Sequence, residues 1–78
     1  MKTKKSLIEI LSENLKQKRA ELNISQEKLA ELLDVHRNTI AFIERKQRSI
    51  SLELLEKLAL VLNCSASSLI EDKSNKNH

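Results

Sequence analysis

A chain of 78 residues with a formal net charge of +3 is too short to close more than one hydrophobic core, which sets one domain over residues 1–71 ahead of a loose polar tail over residues 72–78. No apolar run approaches the roughly 20 residues that cross a bilayer, and the lysine-bearing N-terminus leads into a stretch broken by Glu9 and Ser12 instead of a signal-peptide core, so a cytoplasmic protein with no membrane partner is expected. A lone cysteine, Cys64, excludes an internal disulfide and a thiolate metal cluster, His36 and His78 lie too far apart to suggest a metal pair, and no cofactor, small-molecule ligand or catalytic site is expected from so few nucleophiles and bases.

With glycine and proline both absent, turns fall to Asn and Asp. Leu7, Ile8, Leu11, Leu15 and Leu22 recur at helical spacing and predict an amphipathic first helix over residues 6–22. Lys16, Lys18 and Arg19 occupy its second half, where cations suit the helix dipole, and Asn23 suits the left-handed residue beyond its end. Ser25 caps a second helix, with Gln26 and Glu27 in its first turn and Leu29, Ala30, Leu32 and Leu33 behind them. Asp34 and Val35 connect it to a third helix that starts near His36 and buries Ile40 and Ile43. Residues 46–50 form a basic loop. Ser51 then caps a fourth helix with Leu52, Leu55, Leu58, Ala59 and Leu62 on one face, Asn63 ends it, and Ser65 opens a short fifth helix through Ile70. The charges are segregated: residues 35–48 hold four basic residues and one acidic, whereas residues 25–34 are net acidic.

Ser25-Gln26-Glu27-Lys28-Leu29-Ala30, then Val35-His36-Arg37-Asn38-Thr39-Ile40, then Ile43-Glu44-Arg45 resembles the helix-turn-helix of the phage repressor and Cro family, and the likeness continues through residues 51–62 and 65–70. The resemblance implies an all-α, compact five-helix bundle of the lambda-repressor-like DNA-binding type, in which the second helix braces the DNA backbone and the third enters the major groove. Asn23, Asp34, Lys46 and Asn63 stand where relatives often carry glycine. Lys46 has no local hydrogen bond to support a left-handed conformation, so an altered turn or strain is expected there. His36 replaces the usual Ser or Thr cap and is divided between capping and DNA contact.

On the third helix His36, Thr39, Ile40 and Ile43 share one side, and Arg37, Asn38, Ala41, Phe42 and Arg45 the other. The second set has the chemistry of major-groove reading: arginine pairs with a guanine edge, asparagine with an adenine edge, and phenylalanine presses on a thymine methyl. Arg37, Asn38, Thr39 and Phe42 are the candidate base contacts. Arg45 and His36 are candidate backbone contacts, as are Lys46, Gln47 and Arg48, with Arg48 also suited to a narrowed minor groove. From the resemblance, the Gln26 amide touches a phosphate or braces a side chain of the third helix, and Arg19 and Glu44 form a largely buried structural ion pair.

Leu54, Leu60, Val61, Cys64, Leu69 and Ile70 exceed what one small core absorbs. Leu60, Cys64, Leu69 and Ile70 are therefore the candidate interface of a homodimer on a pseudo-palindromic double-stranded operator. The segment RKQRSISL over residues 45–52 resembles the controller proteins of restriction-modification systems, small dimers that regulate their own operon. The alternative is an antitoxin-type or protein-interaction module on the same fold.

Overall fold

A computed structural model describes residues 5–73. They form five helices, α1 (Leu7–Leu22), α2 (Gln26–Leu33), α3 (Arg37–Glu44), α4 (Leu52–Val61) and α5 (Ala66–Leu69), with no strand among the described residues. Residues 74–78 of the expected tail, His78 included, and the N-terminal residues 1–4 lie outside them.

Every helix starts on a side chain that accepts an otherwise orphaned backbone N–H. Ser6, Ser25, Ser51 and Ser65 each take the N–H three residues on, from Glu9, Lys28, Leu54 and Ser68. Ser6 completes a capping box, since Glu9 Oε1 accepts from the Ser6 N–H at 2.9 Å. His36 caps α3 through Nδ1, which accepts from the Asn38 N–H at 3.0 Å.

The helix ends are equally uniform. At each of the four junctions one residue is left-handed: Asn23 (φ 58°), Asp34 (φ 59°), Lys46 (φ 64°) and Asn63 (φ 57°). Each donates its N–H to the carbonyl three residues back, and the residue after it donates to the carbonyl five residues back, as Ile24 does to Arg19 and Cys64 to Ala59, both at about 3 Å. This doubly bonded exit satisfies the last carbonyls and turns the chain sharply. Ile24, Val35 and Cys64, which follow three of the left-handed residues, pack against the core; Gln47, which follows Lys46, is exposed.

One core results. Leu11 and Leu15 of α1, Leu29, Ala30 and Leu33 of α2, Ile40 and Ile43 of α3, Leu55, Leu58, Ala59 and Leu62 around α4, and Leu69 of α5 form a single cluster. Through it α3 packs on α1 and α2, while α5 packs on α1 and α4. Two buried polar side chains are satisfied: Ser12 donates back to the Glu9 carbonyl at 3.2 Å, and the Asn14 amide donates to the carbonyls of Leu69 and Glu71, both at 2.9 Å, tying α1 to the end of α5.

Several leucines depart from the sequence expectation. Leu7, Leu22, Leu32 and Leu52, assigned to inward stripes, are exposed. Leu7 and Leu52 are the first residues of their helices and overhang a core that begins one turn later at Leu11 and Leu55. Leu69, assigned to a dimer surface, is 2% exposed and belongs to the core, because α5 lies against both α1 and α4.

Candidate nucleic-acid interface

Helix α3 is anchored from behind by two fully buried isoleucines, Ile40 and Ile43, and by a carboxylate. The Glu44 side chain is 4% exposed and Arg19 21%. Arg19 Nε donates to Glu44 Oε2 at 2.7 Å and Nη2 to Oε1 at 3.0 Å, so the fork of the guanidinium meets both carboxylate oxygens. Arg19 Nη1 also donates to the Ile24 carbonyl at 2.9 Å, at the first junction. Donating to the Glu44 carboxylate holds the Arg19 guanidinium protonated still more firmly than usual, against the opposing cost of burial. A buried pair of this kind adds little net stability, but losing one partner strands the other and costs on the order of 3–5 kcal/mol. Its role is to lock the end of α3 onto α1.

Gln26, the first residue of α2, joins the same group: its Nε2 donates to Glu44 Oε1 at 2.9 Å. Of the two roles expected for this amide, bracing α3 is the one the structure displays. Arg19, Gln26 and Glu44 thus come from three helices to one carboxylate.

The outward side of α3 is polar. Arg37, Asn38 and Arg45 are exposed, whereas Thr39, Ala41 and Phe42 are half-buried. Phe42 stays outside the core cluster, and the Arg45 guanidinium stands over its ring, 5.3 Å from the centroid, within cation–π range. His36 was grouped with the inward side but is exposed, because capping turns its ring back over the helix start. Lys46, Gln47 and Arg48 follow α3 as an exposed loop.

Arg37 has a partner that sequence reasoning missed. Its Nη1 donates to Glu27 Oε2 at 3.1 Å, so the first turns of α2 and α3 meet on one surface. The two residues are ten apart across a turn, a separation that no helical or strand period marks. Asn14 was missed for the same reason, since its partners lie 55 and 57 residues away. Of the candidate dimer residues, Leu60 is 81% exposed and Cys64 and Ile70 are half-buried against the core; with Leu69 inside, three of the four remain available.

Two short helices held across a tight left-handed turn, with the second presenting a polar face outward, define a helix-turn-helix. The sequence profile of the helix-turn-helix family matches residues 15–69, and the chain belongs to that family. It is 44% identical over 69 residues to the control protein C.SmaI of Serratia marcescens, a match covering 88% of this chain and 82% of that one. The solved restriction-modification controller protein C.AhdI from Aeromonas hydrophila superposes with a TM-score of 0.75 at 32% identity, over 80% of this chain and 94% of that chain. The controller protein C.Esp1396I, solved as a tetramer in complex with its natural 35 base-pair operator, superposes with a TM-score of 0.74 at 29% identity, over 85% and 87% of the two chains. No helix among the described residues is long and apolar enough to cross a membrane.

Proposed function

We propose that this chain is a sequence-specific transcriptional regulator that binds a pseudo-palindromic DNA operator as a homodimer, and that it is the controller of a restriction-modification operon. The observation that carries this reading is the two-sidedness of α3: its inner side is fixed by Ile40, Ile43 and the Arg19–Glu44–Gln26 group, and its outer side offers Arg37, Asn38 and Arg45 to a partner. Arg37, Asn38, Thr39 and Phe42 read base edges. Gln26, His36, Arg45, Lys46, Gln47 and Arg48 follow phosphates or enter the minor groove. Leu60 centres the dimer contact, with Cys64 and Ile70 beside it. Residues 1–71 act as one unit in the cytoplasm, where an operator is reached without crossing a membrane. The controller C.Esp1396I on its operator supports the assignment by its likeness in fold and sequence.

Binding to a random duplex at two salt concentrations tests it. A regulator that neutralises 6–10 phosphates loses about 10³–10⁵ in affinity between 50 and 200 mM salt, and a protein-interaction module loses none. Selection from a random duplex library then identifies the base readers, because Arg37→Ala is expected to relax preference at one base pair by about 1–3 kcal/mol. A flat salt response would overturn DNA binding, and an unchanged consensus would remove Arg37 from the readers.

A further inference from the structure

The ion pair between Arg37 and Glu27 serves no evident structural purpose. Both side chains are 69% exposed, and so open a pair contributes little to folding, since solvent screens it and ordering two long side chains opposes it. Lys28, the neighbouring cation, pairs with Glu31 instead. On a surface meant for phosphates, moreover, a carboxylate is repelled, so Glu27 weakens binding unless it does something specific. Its position supplies that purpose. Glu27 lies in the first turn of α2, Arg37 is the first residue of α3, and the packing of these helices fixes the distance between them.

A guanidinium is a planar fork with five donors. Glu27 Oε2 occupies Nη1 of Arg37. Nε and Nη2, the other edge of the fork, have no protein partner among the described residues. That edge carries two parallel N–H groups, the arrangement that pairs with guanine O6 and N7. We propose that Glu27 is a positioning residue for base recognition: it holds Arg37 by Nη1 so that the Nε–Nη2 edge is presented to a guanine. The proposal rests on the reading of Arg37 as a base-contacting residue.

The test is library selection with the full chain, comparing wild type, Glu27→Ala, Glu27→Gln, Arg37→Ala and the Glu27→Ala/Arg37→Ala double variant, with melting of each to verify folding. Arg37→Ala is expected to flatten preference at one base pair by about five- to a hundredfold. Glu27→Ala is expected to lower the preference at that same base pair by up to about fivefold, the reach of an exposed ion pair. Glu27→Gln, which keeps an acceptor oxygen, recovers part of the loss, and the double variant matches Arg37→Ala. The proposal is overturned if Glu27→Ala alters a different base pair, since Glu27 would then read a base itself, or if it raises affinity equally for every duplex, since the carboxylate would then only repel phosphates. Relaxation by Arg37→Ala without any change by Glu27→Ala rejects the positioning role and keeps the reader; no change by Arg37→Ala rejects both.

Discussion

At the scale of single residues, the third junction differs from the other three. Asn23, Asp34 and Asn63 have short polar side chains that tolerate the left-handed region, and the apolar residue after each is fastened to the core. Lys46 has neither advantage: its side chain is long, and Gln47 after it is exposed. A left-handed residue without local support costs about 1–2 kcal/mol, so the turn does not account for a lysine at this place, whereas the proposed phosphate contact beside α3 would. Lys46→Gly is expected to raise stability by about 1 kcal/mol, or about 4–8 °C in melting temperature. The same change is expected to reduce the slope of log affinity against log salt by about one. Melting and salt titration of one preparation check both halves. A variant that melts lower than wild type would mean that the lysine makes a stabilising contact in the free protein.

At the scale of the helix, α5 is too short to persist alone, since an isolated helix below about 12 residues is marginal in water, and it spans four. Leu69 and the Asn14 amide hold it. Asn14→Ala leaves the Leu69 and Glu71 carbonyls without that donor and is expected to cost about 1–3 kcal/mol. Amide exchange should accelerate first in α5, and equal acceleration throughout would show that the tie acts on the whole fold. Asn14 also marks where the sequence stops being legible. The five helix starts and the stops at Asn23 and Asn63 were readable because each depends on residues within about five positions: a serine and the N–H three residues on, an asparagine at the end of an apolar stripe. At Lys46, where the side chain gives no such signal, the turn is nonetheless the same as at the other junctions. The inward leucines were less so. In α4 seven of ten residues are apolar, and the pattern set exposed Leu60 apart from buried Leu55 and Leu58 but left Leu52, exposed at the helix start, among the inward residues. The pairing of Glu27 with Arg37 and the burial of Leu69 depend on how the helices pack, which no local pattern encodes.

At the scale of the whole molecule, the proposed dimer places a leucine, Leu60, where a monomer leaves it in water. Removing everything after Asn63 is a poor test, because it deletes Leu69 from the core together with any interface. Leu60→Glu is the cleaner probe. Being 81% exposed, this side chain contributes little to the monomer fold. The variant is expected to melt like a folded monomer, sediment as one, and lose most of its affinity for a two-fold operator while keeping weak binding to a half-site. Sedimentation and duplex binding decide it; a variant that remains dimeric would move the interface away from the outer face of α4.

The four left-handed junctions also set the protein's timing. All four turns are made without proline, which the chain lacks altogether, so prolyl isomerisation, a matter of tens to hundreds of seconds, cannot delay refolding. Small helical bundles otherwise fold in microseconds to milliseconds. Synthesis of 78 residues takes about 4–16 s at about 5–20 residues per second. Folding of these residues is therefore faster than their synthesis, and under the proposed dimeric reading the step that governs operator occupancy is the meeting of two copies.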